Sequence, residues 1–292
     1  MADYTFQIFA DSNCDLPESF YKENGVGVLN HMLVLDGTEY IDDFGKSISY
    51  EEVYRHIRAG EMASTVQVSM QTFLDRFTPA LEAGRDVLYV GFSSALSGTF
   101  ATSCMVAKEL GEQYPERRLY MVDTCAACAG HGLLVRHAVR LQKEGKTIEE
   151  VRDWLESNKN RLCHWFTVDD LHYLHRGGRV SKTAAVVGSL VGIKPVMHVD
   201  NEGRLIPGMK VRGRKAALEM LVRKFDELVV RPEEQVVYLS HADSAQDAAY
   251  VEQLVREKYP VKDVVTSLMC PIIGAHSGPG TVALFFIGSR KF

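Results

Sequence analysis

No Asn-x-Ser/Thr glycosylation acceptor occurs in this chain, and no apolar run approaches the roughly 20 residues that cross a bilayer as a helix. The opening Met1-Ala2-Asp3-Tyr4 lacks the basic stretch and apolar core of a secretory leader. Six cysteines (14, 104, 125, 128, 163 and 270) are too few and too unevenly spaced for a disulfide framework in a chain this long. Together these absences point to a cytoplasmic protein with reduced thiols and no stable membrane insertion. Net positive charge is also lacking, with 33 Lys and Arg against 38 Asp and Glu. A formal net charge of -5 supplies no field to attract phosphate backbones, so no nucleic-acid partner is expected.

Catalytic signatures are missing as well. The pairs Gly45-Lys46-Ser47 and Gly145-Lys146-Thr147 have Tyr40 and Arg140 where a phosphate loop needs its first glycine. Gly130-His131-Gly132 continues into Leu133, Leu134 and Val135 rather than completing a dinucleotide fingerprint. Gly91-Phe92-Ser93-Ser94-Ala95 lacks the second glycine of a nucleophile elbow. Cys125-x-x-Cys128 sits after Asp123-Thr124 in mid-domain, which favours packing at a helix start over redox work. His164, His172 and His175 match no tetrahedral ligand spacing, so no metal is expected.

What is present reads as a soluble globular protein: 292 residues, 46% hydrophobic and 24% charged, is room for two domains. Tyr4 to Ala10 predicts a strand running into a loop at Asp11-Ser12-Asn13, and Val26 to Leu35 a second one. Capping boxes Ser49-x-x-Glu52 and Thr147-x-x-Glu150 open helices. Met70, Phe73, Leu74, Phe77 and Leu81 repeat at helical spacing. Asp86 to Phe92 predicts a buried strand, followed by a helix from about Gly98 to Tyr114 and a strand at Leu119 to Val122. The alternation predicts an α/β fold with a mainly parallel sheet flanked by helices. After about Arg161 the pattern changes. A strand at Cys163 to Val168, a short helix at Asp169 to Arg176 and a hairpin turning at Asn201-Glu202-Gly203 suggest a mixed sheet. Helices at 213–230 and 244–259 then alternate with strands at 235–240, 264–268 and 281–287. The expected division is 1–160 and 161–292.

Three short segments carry the functional signal. They are Ser64 to Ser69, Ser93 to Phe100, and Gly274 to Thr281, the last expected as a glycine-rich turn. Hydroxyl loops before helices can meet at one end of a sheet beside the positive end of a helix dipole, which suits a carboxylate. Singly, each hydroxyl reads equally well as a helix cap.

These segments belong to an ordered series. It runs through Asp11-Ser12-x-x-Asp15-Leu16, the Thr65 loop, Ser93-Ser94-x-Leu96-Ser97-Gly98-Thr99 and Gly177-Gly178-Arg179-Val180-Ser181. Ile193-Lys194-Pro195, Val211-Arg212-x-Arg214-Lys215 and Gly274-x-His276-x-Gly278-Pro279-Gly280 complete it. Over nearly its whole length the sequence resembles the DegV family, the fatty-acid-binding proteins that serve bacterial fatty acid kinases. The resemblance implies two α/β domains with a long-chain fatty acid between them, no other cofactor, and no chemistry by the chain itself. Carried over by position, Thr65, Ser97 and His276 hold the carboxylate, with Ser94, Gly98, Thr99, Arg179 and Gly278 as further candidates. Arg179 reads alternatively as a brace between the domains. Arg212, Arg214 and Lys215 are either a solvated basic face or a docking surface for the kinase catalytic subunit. The family's Thr-Ser-Gln-Pro-Ser appears here as Thr65-Val66-Gln67-Val68-Ser69. The rival reading is a small-molecule kinase or hydrolase with Ser97 as nucleophile beside His276.

Overall fold

A computed structural model describes residues 4–181 and 192–289. The first sheet contains β1 (Phe6–Asp11), β2 (Gly27–Leu29), β6 (Asp86–Gly91) and β7 (Leu119–Asp123), all parallel, in the order β2-β1-β6-β7. Its middle strands are near-continuous apolar runs because helices cover both faces. A small antiparallel sheet, β4-β3-β5, is built from β3 (Met32–Leu35), β4 (Thr38–Ile41) and β5 (Ala63–Val66). The third sheet is mixed and holds every described strand after residue 161. It contains β8 (Leu162–Thr167), β9 (Ile193–Val199), β10 (Leu205–Arg212), β11 (Val236–His241), β12 (Asp263–Leu268) and β13 (Val282–Ile287), ordered β10-β9-β8-β13-β11-β12. The α/β class, with one parallel and one mixed sheet, is as expected.

The helices are α1 (Glu18–Asn24), α2 (Tyr50–Arg58), α3 (Met70–Glu82), α4 (Thr99–Gln113), α5 (Cys128–Lys143), α6 (Ile148–Asn158), α7 (His172–Arg176), α8 (Arg214–Leu228), α9 (Ala245–Lys258) and α10 (Pro271–Ser277). In α6 both halves of the Thr147–Glu150 capping box form. At Ser49 only half does: its hydroxyl accepts Glu52 N–H, while the Glu52 carboxylate turns to Arg55. In α3 the predicted stripe buries Phe73, Phe77 and Leu81, and Met70 stays exposed at the first turn.

Helix α5 packs against β1 and β6 on one side and β8, β11 and β13 on the other. One buried cluster therefore runs from Phe6 and Leu88 through Leu134 to Tyr238 and Phe285. Polar ties cross the same boundary: Tyr54 donates to Met269 O at 2.8 Å, Ser240 to Asp15 at 2.6 Å and Ser93 to Gly203 O at 2.9 Å.

Three local readings need correction. The run Val26 to Leu35 is two strands in two sheets, broken at Asn30-His31 where the chain leaves the parallel sheet. The Ser64 to Ser69 segment is not all loop, because Ala63–Val66 pairs with β3. The expected turn at Gly274 is part of α10, whose first residue is Pro271. Gly274 is there for clearance: a Cβ on it would stand 2.1 Å from Tyr54 Oη. His276 thus projects from a helix, not from a turn.

Candidate functional site

A cavity of about 340 Å³ opens where the carboxyl end of the parallel sheet faces the mixed sheet, within the ~300–1,000 Å³ usual for small-ligand sites. Most of its wall is apolar, including Phe92, Phe166, Leu174, Leu205, Ile272 and Ile273. Thr65, Ser97 and His276 all line it, although they come from β5, the loop before α4, and α10.

Thr65 Oγ1 lies 2.8 Å from His276 Nε2, since α10 packs directly against β5. Ser97 Oγ accepts Thr99 N–H at 3.2 Å and lies 3.0 Å from Thr99 Oγ1. The Thr99 hydroxyl also accepts Val68 N–H at 3.3 Å, tying the Ser97 loop to the segment that follows β5. Thr99 is thus a buried brace behind the wall. Gly98 is in the wall, pressed against the Gln67 amide. Arg179 lines the cavity and also braces it, as Nε donates to Leu96 O at 3.1 Å and the guanidinium bonds Gly177 O. Ser94 and Gly278 lie outside the wall. Ser94 is exposed, with its N–H on the Asp123 carboxylate, and Gly278 ends α10 against the Tyr173 ring.

Burial, helped by the charges of Arg179 and Arg176, pushes the His276 imidazole down to about 4. At neutral pH the ring is therefore uncharged. Nucleophilic catalysis would need it hydrogen-bonded to Ser97 and oriented by an acid. Its recorded hydrogen bond is instead to Thr65, and among the described residues no carboxylate bonds it. The set suits holding an anionic head by hydroxyls and a neutral imidazole, while the Arg179 guanidinium is engaged by backbone carbonyls.

The polar floor was not anticipated. Asn13 and His31 line the cavity, and Asp11 stands behind them, fully buried. Burial alone would raise the Asp11 carboxyl. Hydrogen bonding and charge from His31, the charge of His131 and the Phe92 N–H together hold it below its ordinary value. The Asp11-Ser12 motif thus fixes the Phe92 loop, whose N–H it accepts at 2.9 Å, and Tyr89, whose hydroxyl it accepts at 2.8 Å. A lone Asn and a lone His carry no periodic signal, so nothing in the sequence singled them out.

Other candidates resolve differently. Cys128 is the first residue of α5 and part of the cavity wall, with its thiol pushed far up by burial. Among the described residues there is no disulfide and no cluster that would hold a metal; His164 packs between Phe166 and Phe285. Arg214 is not a free surface cation: it pairs with Asp247 at 2.7 Å and donates to Gly280 O at 2.5 Å. Arg212 and Lys215 are exposed. No helix among the described residues is long and apolar enough to cross a membrane.

Residues 5–289 match the family described as "Uncharacterised protein, DegV family". A DegV domain-containing protein of Clostridium perfringens is 44% identical over 286 residues, 98% of each chain. The solved structure of a DegV family protein from Thermus thermophilus, described by its fatty acid binding, superposes with a TM-score of 0.88 at 29% identity, covering 97% of this chain and 99% of that one. A Thermotoga maritima protein whose structure is described as revealing a fatty acid binding function gives 0.82 at 32% identity, covering 98% and 99%. On this match, end to end, the chain belongs to the DegV family.

Proposed function

We propose that this protein holds one long-chain fatty acid in the cavity, its carboxylate among Thr65, Ser97 and His276, and presents that carboxylate to a fatty acid kinase for acyl phosphate formation. The observation that carries the reading is the Thr65–His276 hydrogen bond at the edge of an otherwise largely apolar chamber. A palmitate-like tail brings about 14 methylenes, and burying each at ~0.8 kcal/mol gives on the order of 11 kcal/mol of gross driving force. Lost motion and imperfect fit reduce the net. The carboxylate opposes burial unless it finds donors. Uncharged hydroxyls and a neutral imidazole meet that need without locking the head in a salt bridge, which leaves it reactive toward phosphoryl transfer. The fatty acid binding described for relatives of similar sequence supports the reading.

The decisive experiment is mass spectrometry of what the purified protein releases on denaturation. A long-chain fatty acid is expected at near-equal molar amount. It should be largely missing from the double variant Thr65→Ala/Ser97→Ala, with the circular dichroism spectrum unchanged. Wild-type occupancy in that variant would refute the head-group assignment. For the kinase step the exposed Arg212 is the better probe, because Arg214 is tied up internally. Arg212→Glu should slow acyl phosphate formation without emptying the pocket.

A further inference from the structure

Asn13 is 1% exposed, lines the cavity, and its Oδ1 has no hydrogen-bond partner among the described residues. A side-chain amide offers two donors and an acceptor with two lone pairs. The recorded contact of this one is Nδ2 to His31 Nε2, at 3.4 Å. His31 Nε2 faces the Asp11 carboxylate at 3.1 Å and donates there, so whichever end of the Asn13 amide turns to His31, the other end stays open towards the chamber. Buried polar groups are almost always satisfied, so one left open in a ligand chamber marks where a ligand atom belongs. Several other polar groups of the chamber are paired. Thr65 and His276 satisfy each other, and Thr281 donates to Ser277 O and Gly278 O.

The backbone register locates this opening. Leu33 lies opposite Thr65 and Met32 opposite Val66, so His31 is the next residue along from that ladder. Diagonal neighbours in such a pair are about 7–8 Å apart. On the fatty acid reading, that separation puts the open amide within reach of the carboxyl-proximal part of the chain.

We propose that Asn13, steadied by His31 and Asp11, forms a polar station for an oxygen on the acyl chain, so that the favoured ligand is a fatty acid hydroxylated in the half nearer its carboxylate. The hydroxyl, which can donate or accept, pairs with the open end of the Asn13 amide, and the aliphatic remainder continues along the apolar wall. A plain chain leaves the amide unpaired or forces a water to stay with it. This inference rests on the fatty acid reading above.

The test uses the full-length protein stripped of lipid, with competition binding of octadecanoate and of octadecanoates hydroxylated at successive positions. One isomer, hydroxylated in the carboxyl-proximal half, should bind about 5- to 10-fold tighter than octadecanoate, the worth of one buried hydrogen bond. In Asn13→Leu the ratio between that isomer and octadecanoate should fall to about one. If that variant does not fold, the wild-type series decides alone, together with the Asn13 side-chain amide NMR signal, which only the favoured isomer should shift. Octadecanoate binding as tightly as every hydroxylated isomer would overturn the proposal and leave Asn13 with a resident water. Failure of octadecanoate and all the isomers to bind would overturn the fatty acid reading itself, and this inference with it.

Discussion

Thr65 Oγ1 and His276 Nε2 meet at 2.8 Å across 211 residues of chain, joining the edge of a small antiparallel sheet to a helix that precedes the last strand. Each satisfies a polar atom that would otherwise sit in an apolar wall. Thr65→Val keeps the shape and suits a strand, but leaves the imidazole nitrogen unpaired. Fatty acid affinity, read by calorimetry, should drop about 5- to 30-fold, the equivalent of roughly 1–2 kcal/mol. An unchanged affinity would remove Thr65 from the head-group site.

Gly177 offers a steric probe of the same ring. Its backbone is helical, so alanine is conformationally welcome, yet a Cβ would stand 2.4 Å from His276 Nδ1. Gly177→Ala should displace the imidazole and weaken acyl-chain binding about tenfold. Gly111, inside α4, meets nothing within 4 Å. Gly111→Ala should instead stabilise the fold by about 0.5–1 kcal/mol in urea unfolding and leave binding alone. If both variants bind like wild type, close approach at Gly177 does not position His276.

How much of this was legible depends on the range of the interaction. The Phe73–Phe77–Leu81 stripe of α3, the buried run of β6 and the Thr147 cap are local, and each follows from residues within a turn or two. Strand β4 was missed because Thr38–Ile41 is mostly exposed and carries no apolar alternation. His276 was misplaced onto a turn because Gly274 answers to Tyr54, which is remote in sequence. That Thr65, Ser97 and His276 line one cavity is legible only from the ordered set, since a single hydroxyl before a helix is indistinguishable from a cap such as Ser69. The pairing of Asn13 with His31 arises where the chain passes between two sheets, which no local pattern reports.

The cysteines should behave as packing residues. Cys104 on α4 is exposed, while Cys14, Cys125, Cys128, Cys163 and Cys270 are buried. Burial raises the thiols of Cys14, Cys128 and Cys270 well above their ordinary value, which suppresses the reactive thiolate. A disulfide exchange reagent should therefore titrate one of the six thiols quickly in the folded protein. Cys104→Ser should abolish that fast phase, and the buried thiols should respond only in denaturant. A fast phase from Cys125 or Cys128 would revive the redox reading of the pair.

Asp15 supplies the clearest pH signature. It lies between the two halves of the molecule, accepting Ser240 Oγ at 2.6 Å and Cys270 N–H at 2.8 Å. Burial, reinforced by the neighbouring Asp42 carboxylate, pushes its carboxyl up to about 7 despite those hydrogen bonds. The folded-state value lies above the unfolded one. Its contribution to stability is therefore complete below about pH 4 and is lost as the pH rises through about 7. Asp15→Asn cannot ionise, and its amide oxygen can still accept the Cys270 N–H. Relative to wild type, the variant should gain roughly 2–3 kcal/mol of urea stability at pH 8 compared with pH 5. Comparing the two proteins at each pH cancels the opposite effect of the buried histidines His137 and His276, whose values are both pushed down to about 4. A difference between variant and wild type that stays constant from pH 5 to pH 8 would mean that Asp15 is already ionised in the folded protein.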